Sequence, residues 1–160
     1  MMHPNAELIT TFYQALQRRD AGGMIACYGP AVVFHDPVFQ VEGSRAGAMW
    51  RMLCERGKDL RIEFRDVEAG DVNGSAVWEA WYTFSATGYP VHNRIRATFH
   101  FQDRRIIRHD DRFDLHRWAG QALGWKGRLL GWAPPVQAAI RKNAARSLDA
   151  FLAKAGSAHP

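Results

Sequence analysis

The spacing of hydrophobic positions changes along the chain, and each change marks a predicted element. In "NAELITTFYQALQRRD", residues 5–20, apolar side chains recur every three or four positions, which predicts an amphipathic helix capped by Asn5. "AGGMIACYG" predicts a short second helix and "AVVFHDPV" a strand. "RAGAMWRMLCERG" predicts a third helix, capped by Ser44 and ended by Gly57. The first third of the chain therefore predicts the order helix, helix, strand, helix.

The middle of the chain consists of segments whose residue patterns are typical of β-strands. "LRIEFRDVEAG" alternates apolar and charged residues, which predicts a strand with one buried face. "DVNG" is a hairpin turn signal, and "SAVWEAWYTFSA", "HNRIRATFHFQ" and "RIIRHDDRFDL" predict three further strands. This order predicts an α+β domain in which three helices pack around a long, curved antiparallel sheet.

The last part of the chain has a different character. "HRWAGQALG" predicts a short helix, "WKGRLLGWAPP" is rich in Gly and Pro, and Pro135 begins a final amphipathic helix that reaches about Lys154. Residues 116–160 carry seven Lys or Arg and one Asp, so they hold all the excess positive charge of a chain with formal net charge +5. The final helix can pack on the domain and cover a cavity mouth, contact a partner or second subunit, or lie on an anionic membrane surface. Because its apolar stripe is short and Ala-rich, we do not expect membrane contact.

Composition narrows the class of protein. With 160 residues, 47% hydrophobic and 12% aromatic, the chain can bury one sizeable core and is not disordered. It has no run of about 20 apolar residues, no secretion signal after Met1 and no recognisable nucleic-acid module. Cys27 and Cys54 lie in apolar helical patterns without Cys or His at metal spacing. We therefore expect reduced, buried thiols in a cytoplasmic protein that does not bind nucleic acid.

Three stretches carry a family resemblance: "FYQALQRRDAGGMIACY" at 12–28, "VVFHDPV" at 32–38 followed by a Gly, and "RIIRHDDRFDL" with "AGQALG" at 105–124. With the element order, they resemble the nuclear transport factor 2-like superfamily, which includes ketosteroid isomerases, SnoaL-like polyketide cyclases and limonene epoxide hydrolase. The resemblance implies a cone-shaped curved sheet wrapped around N-terminal helices, and a homodimer joined through the outer sheet face. We expect this domain over residues 1–124 and a C-terminal extension over 125–160, with its amphipathic helix packed on the domain.

The resemblance to ketosteroid isomerases assigns roles to single positions. The base of that family is the Asp of a "DPV" segment, which is Asp36 here. The family's two enolate donors, a Tyr on the first helix and a protonated Asp on the penultimate long strand, fall on Phe12 and Ala97, which cannot donate. Because a carboxylate base alone is insufficient for such chemistry, the resemblance argues against a steroid isomerase unless Tyr13 or Tyr28 supplies a donor.

The closing strand supplies a second candidate group. Ile107, His109, Asp111 and Phe113 alternate onto one face, and the resemblance to SnoaL-like cyclases makes Asp111 the nearest equivalent of their acid/base Asp. A carboxylate in an apolar cavity loses solvation, so its pKa rises, and a neighbouring imidazole can relay its proton. We therefore predict Asp36, His109 and Asp111 as catalytic. The predicted ligand-binding wall consists of Phe12, Tyr28, Trp50, Trp78, Tyr82, Phe84, Ile95, Phe99 and Phe113.

Each of these assignments has a structural alternative. Asp36 before Pro37 is suited to capping a turn, His109 and Asp111 can form an internal hydrogen-bonded pair, and the aromatic wall can be ordinary core. A metal site built from His35, His109 and Asp36 has no support from spacing, and we expect neither a metal nor a cofactor.

Two function classes remain for the predicted cavity. The leading hypothesis is a small-molecule enzyme of the isomerase, polyketide cyclase-like or hydrolase kind, which uses acid/base chemistry in an apolar cavity. The alternative is a non-catalytic carrier or sensor of a small apolar ligand on the same scaffold. A third, an interaction module, would work through the basic C-terminal helix.

Overall fold

Over residues 2–157, six helices and one six-stranded sheet make up the fold, which is the predicted α+β class. The computed structural model describes residues 2–157, so the outermost ends of the predicted ranges 1–124 and 125–160 lie outside it. The helices are α1 (Pro4–Gln17), α2 (Ala21–Ile25), α3 (Ser44–Arg56), α4 (Leu115–Ala122), α5 (Trp125–Leu130) and α6 (Pro134–Ser157). The strands are β1 (Tyr28–His35), β2 (Gln40–Glu42), β3 (Arg61–Ala69), β4 (Asn73–Thr83), β5 (Pro90–Gln102) and β6 (Arg105–Arg112).

The sheet is mixed, which corrects the prediction of an antiparallel sheet. Its strand order is β2-β1-β6-β5-β4-β3, and β1 runs parallel to β6 while the other neighbours are antiparallel. The pattern of hydrophobic residues reports which face of a strand is buried but not the direction of its neighbour, so the parallel pair left no sequence signal. Because β2 and β3 are not paired with each other, the sheet is open.

The predicted alternation is confirmed in β5, but in β6 it fails at Ile107, which was expected on the face of His109 and Asp111. Ile107 is 36% exposed and Ile106 is fully buried instead, because the pairing of β5 with β6 shifts register there. Ile95, Ala97 and Phe99 of β5 are buried under the helices, whereas Arg96 and Thr98 are exposed on the outer face. The β5–β6 hairpin turns at Asp103 and Arg104, whose φ angles are both positive at 52° and 60°, as a two-residue type I′ connection requires.

Several predicted boundaries are wrong by a few residues. Helix α1 is capped by His3, whose Nδ1 accepts the N–H of Asn5 at 3.0 Å, so Asn5 is already helical. Ser44 likewise lies inside α3, after Gly43 at φ 56°. Helix α2 ends at Ile25. Tyr28 and Gly29, which were expected to end this helix, are instead the first residues of β1. The Gly- and Pro-rich stretch contains α5, and α6 begins at Pro134 rather than the next proline.

Helix α6 folds back over the domain. Its Leu148 is fully buried in the main core, and Asp149 forms an ion pair with Arg45 of α3 at 2.7 Å. Arg141 donates from Nε to the carbonyl of Pro37 at 2.9 Å. These contacts place α6 across the turn that follows β1. Among the described residues, none of the helices has the length and apolar character needed to cross a membrane.

Candidate active site

A cavity of about 400 Å³, partly open to solvent, lies between the sheet and helices α3, α4 and α6. Its volume is within the range of about 300–1,000 Å³ that is usual for small-molecule sites. Most of its wall is apolar, and two carboxyl groups reach it, Asp36 from the turn after β1 and Asp111 from β6. Further polar side chains reach it from other elements: Arg56, Tyr82, Asn93, Asn143 and Ser147.

Asp36 occupies a sharp turn at the end of β1. Pro37 cannot donate to a strand ladder, so the strand ends at His35 and the chain turns. Asp36 Oδ1 accepts the N–H groups of Val38 and Phe39, both at 2.6 Å, which closes the turn that the sequence suggested. Among the described residues, its other carboxyl oxygen has no hydrogen-bond partner. Asp36 therefore holds the turn with one oxygen and leaves the other for the cavity.

The environment of Asp36 favours its neutral form. Burial raises the pKa of Asp36 to about 7, the two backbone N–H groups oppose that rise, and the negative charge of Asp111 adds to it. A carboxyl group with a pKa near neutrality can both take up and release a proton under ordinary conditions.

Asp111 ends a buried chain of hydrogen bonds. His109 is fully buried, and its Nε2 lies 2.9 Å from Asp111 Oδ1. On the other side of the ring, His109 Nδ1 lies 2.8 Å from the Tyr28 hydroxyl, which accepts the indole N–H of Trp50 at 2.9 Å. Trp78 also donates its indole N–H to Asp111 Oδ1, at 3.4 Å. Five side chains from α3, β1, β4 and β6 are thus joined in one network.

The donors and acceptors around His109 determine which of its ring nitrogens carries the hydrogen. An indole N–H can only donate, so the Tyr28 oxygen is the acceptor for Trp50 and the Tyr28 proton points to His109 Nδ1. Nε2 of a neutral imidazole then carries the ring hydrogen and donates it to Asp111. In this arrangement every polar hydrogen of the network takes part in a hydrogen bond. Burial is the main cause that raises the pKa of Tyr28 well above its ordinary value, so the hydroxyl stays protonated.

A second indole-to-tyrosine bond faces the cavity near Asp36. Trp118 of α4 donates its N–H to the Tyr82 hydroxyl at 2.7 Å. The Tyr82 oxygen is therefore occupied as an acceptor, and its own O–H has no acceptor among the described residues. Burial raises the pKa of Tyr82 to about 12, Trp118 opposes this rise, and the charge of Asp36 adds to it. Tyr82 is thus a protonated donor at the cavity wall.

The three predicted catalytic residues occupy different positions relative to the cavity. Asp36 and Asp111 line it, whereas His109 lies behind Asp111 and does not. Ala97 is the register partner of Asp111, so Asp111 stands beside the strand position where the isomerase resemblance places a carboxyl group.

The predicted aromatic wall divides into two groups. The residues that line the cavity are Trp50, Trp78, Tyr82, Phe84, Ile95 and Phe113. Phe12, Tyr28 and Phe99 do not line it; their rings pack around the His109 ring, with centroid distances of 5.4, 6.1 and 4.4 Å. These three residues therefore support the buried network instead of forming the wall.

Sequence reasoning missed Trp118 and the α6 residues. Trp118 lies after the last strand in a helix predicted only as short, and its contact with Tyr82 joins positions 36 residues apart. Ile140, Asn143, Ala144 and Ser147 line the cavity from α6. The only sequence signal for them was the amphipathic stripe of that helix, one of whose alternatives was to cover the cavity mouth.

Tyr13 and Tyr28 were expected as replacements for the missing enolate donors, but the tyrosine hydroxyl that can donate at the cavity wall belongs to Tyr82. Tyr28 is held by Trp50 and His109, and the fully buried hydroxyl of Tyr13 has no hydrogen-bond partner among the described residues and does not line the cavity. Among the described residues, no group of three or more His, Cys, Asp and Glu side chains is arranged to hold a metal ion.

Comparison with solved structures supports the fold. A candidate polyketide cyclase from Xanthomonas campestris aligns with a TM-score of 0.60 at 21% identity, covering 74% of this chain and 96% of that one. An epoxide hydrolase from M. tuberculosis that resembles limonene epoxide hydrolase aligns with a TM-score of 0.61 at 19% identity, covering 82% and 96%. TerC, co-crystallised with polyporic acid, aligns with a TM-score of 0.59 at 19% identity, covering 70% and 92%. At these identities the likeness shows the nuclear transport factor 2-like fold alone.

Sequence comparison identifies the family. A search of curated proteins gave no match. A family model for the SnoaL-like domain matches residues 9–109, which include β1, α3 and the sheet as far as His109. The match covers more than half of the chain and includes Asp36, whereas Asp111 lies two residues beyond its end. The chain belongs to the SnoaL-like family of the nuclear transport factor 2-like superfamily.

Proposed function

We propose that the protein is an acid/base enzyme for a small apolar carbonyl or enol substrate, of the isomerase or cyclase kind. The observation that carries this proposal is the placement of Asp36 and Asp111 on the wall of one apolar cavity, each with one oxygen bonded to the protein. A carboxylate pair in such a site can move protons on a bound substrate. Among the structural relatives are a candidate polyketide cyclase and an epoxide hydrolase, which supports a small-molecule enzyme.

Asp36 is the base in this proposal. Its carboxylate removes the proton from a carbon next to the substrate carbonyl, the C–H electron pair forms a C=C bond, and the carbonyl oxygen takes the negative charge. In a β,γ-unsaturated carbonyl compound the negative charge extends to the γ carbon, so the protonated Asp36 returns the proton there while the carbonyl re-forms, which completes an isomerisation without an oxidant or reductant. If the enolate carbon instead attacks a second carbonyl of the same molecule, a C–C bond forms, the first carbonyl re-forms, and the new alkoxide takes the proton from Asp36, which closes a ring.

Tyr82 is the enolate donor in this proposal. Among residues 2–157 its O–H has no hydrogen-bond acceptor, and the N–H of Trp118 at 2.7 Å polarises it toward donation into the cavity. The donor thus comes from β4 instead of from the positions occupied by Phe12 and Ala97. One such donor is worth about 10²–10³ in rate where it has been removed from oxyanion sites.

Asp111 is the second carboxylate and His109 positions it. The oxygen of Asp111 that is free of protein donors can accept the O–H of a substrate hydroxyl or enol. His109 does not touch the cavity, so its role is to fix the orientation and charge of Asp111 rather than to meet the substrate. Its ring is fixed in turn by Tyr28 and Trp50.

The test measures solvent deuterium uptake by a panel of cyclic enones and aromatic 1,3-diketones in D₂O, followed by NMR. The wild type should accelerate exchange of at least one member, and Asp36→Asn should slow it by about 10²-fold or more, the usual contribution of a general base. Asp111→Asn should also slow exchange. Asp110→Asn is the matched control, since Asp110 is the next residue on β6 but pairs with Arg108 outside the cavity at 2.8 Å.

Two outcomes would contradict the proposal. In the first, wild type and Asp36→Asn exchange every member at the same rate. In the second, Asp110→Asn is as damaging as Asp111→Asn. Native mass spectrometry separates the carrier alternative, because a stoichiometric apolar compound bound to a protein without exchange activity would indicate binding without turnover.

A further inference from the structure

Helix α5 and the turn after it expose large apolar side chains to solvent. Trp125 is 66% exposed, Leu129 63%, Leu130 49% and Trp132 63%. We call these four residues the α5 patch. Single exposed apolar residues are ordinary, but two Trp and two Leu within eight positions form a patch of the kind that marks an interaction site.

The α5 patch is continuous and rigidly held. Trp125 and Leu129 are four residues apart on one helix face, and the Trp132 indole donates to the carbonyl of Leu129 at 2.9 Å. The buried face of α5 is fixed to α4, where His116 Nε2 bonds the carbonyl of Arg128 at 2.7 Å. Gly127 faces the backbone of Ala119 so closely that a side chain would not fit. The exposed residues therefore sit on a fixed platform rather than on a loose tail.

Positive charge predominates around the patch, although Asp114, which precedes α4, lines the same surface pocket as Arg128. Residues 115–148 contain six Lys or Arg and no Asp or Glu. Lys126 Nζ lies 5.8 Å from the Trp125 ring, and Arg128 is exposed on the same short helix. The surface thus combines apolar anchors with positive charge.

Apolar anchors combined with positive charge favour some binding partners of the α5 patch over others. In a symmetric dimer the same patch would face itself, so the cations on α5 of one copy would face those of the other, and α5 and the turn after it carry no carboxylate to pair with them. An anionic bilayer instead offers negative headgroups for Lys and Arg and an interfacial layer that Trp prefers. We propose that the α5 patch binds peripherally to the surface of an anionic membrane, with Trp125, Leu129 and Trp132 entering the headgroup layer. This differs from the sequence expectation of no membrane contact, which considered the stripe of the final helix.

The placement of the patch fits an apolar substrate. Leu123 lines the cavity and lies two residues before Trp125. Tyr89, 48% exposed, packs beside Gly124 at the start of α5. The patch and the cavity wall are therefore adjacent in the chain, so a bound membrane surface would lie near the cavity.

The test is flotation of the full-length protein with vesicles of phosphatidylcholine alone and of phosphatidylcholine with 30% phosphatidylglycerol. Wild type should float with the anionic vesicles, and added salt should weaken that binding. The Trp125→Ala/Leu129→Ala variant should bind about tenfold more weakly or worse. Since both side chains are exposed, circular dichroism should show an unchanged fold. Val72→Ala, at an exposed apolar residue of the β3–β4 turn, is the matched control and should bind like wild type.

Three results would overturn the proposal. Wild type could fail to float with anionic vesicles, or the double variant could float as well as wild type. Light scattering after size exclusion could also show that the double variant loses an oligomer that the wild type forms, which would make a second copy of the chain the occupant of the patch.

Discussion

Tyr13 and Tyr28 both pack against the ring of Phe12, yet only the Tyr28 hydroxyl has hydrogen-bond partners. Their ring centroids lie 5.2 Å and 5.3 Å from that of Phe12. The Tyr28 oxygen joins Trp50 to His109, while the Tyr13 oxygen is buried without a partner among the described residues. A buried hydroxyl that bonds well stabilises a fold, whereas an unpaired one costs its lost hydration.

Replacing the two tyrosines by phenylalanine should therefore have unequal effects. Tyr28→Phe leaves the Trp50 N–H without its acceptor and His109 Nδ1 without its donor, so we expect a loss of about 1–3 kcal/mol in the free energy of unfolding. Tyr13→Phe removes a hydroxyl that has no partner and should be neutral or slightly stabilising. Urea unfolding of both variants provides the measurement. Equal losses in the two would show that the network is not held together as described.

The raised pKa of Asp36 gives a pH dependence of stability with a definite sign. In the folded chain its pKa is about 7, above the ordinary 3.8, so the folded state keeps a proton that the unfolded chain has already released. The contribution of this group is complete below about pH 4 and disappears as pH rises through 7. Its size should be on the order of 2–4 kcal/mol.

Asp36→Asn should remove this dependence. The amide oxygen can still accept the Val38 and Phe39 N–H groups, so the turn is retained. Unfolding by urea at pH 4.5 and pH 8 should show the wild type losing stability relative to Asp36→Asn over that interval. Parallel profiles for the two proteins would mean that Asp36 titrates in its ordinary range.

The sequence predicted the fold class and the turn at Asp36 because both depend on local pattern. Period-two alternation identified β3 most clearly, a run with apolar residues on both faces indicated β4, and the proline after Asp36 located the end of β1. The parallel pairing of β1 with β6 is a long-range choice, which local periodicity does not record.

The candidate site was less predictable because its contacts join distant segments. The alternation of side chains along β6 placed His109 and Asp111 on one face. It could not show that Phe12, Phe99 and Tyr28 close over the imidazole, so that only Asp111 reaches the cavity. The Trp118–Tyr82 bond depends on how α4 returns against β4, and no motif encodes that.

Gly127 tests whether α5 is firmly attached to α4. A Cβ at this position would overlap the backbone of Ala119, so Gly127→Ala must push the helices apart and should cost about 1–3 kcal/mol. Gly156→Ala is the control, because nothing lies within 4 Å of its added Cβ and alanine favours the helix. Thermal unfolding should show a lower midpoint for the first variant and an equal or higher one for the second. Two equal midpoints would indicate that α5 moves freely on α4.

Trp118 tests whether the Tyr82 hydroxyl acts in turnover as a polarised donor. Trp118→Phe keeps an aromatic ring at the cavity wall but removes the N–H that bonds Tyr82 at 2.7 Å. Since that bond holds the pKa of Tyr82 below the value that burial alone would give, its loss should weaken the donor and lower the rate of deuterium exchange about threefold to tenfold.

A double-mutant cycle separates this effect from a change in cavity shape. Tyr82→Phe should lower the exchange rate by about 10²-fold, and the Tyr82→Phe/Trp118→Phe double variant should be no slower, because Trp118 acts only through the hydroxyl that is already gone. If the effects of the two substitutions simply multiply, Trp118 contributes to the cavity independently of Tyr82, and the indole–hydroxyl pair is a structural contact without a part in proton transfer.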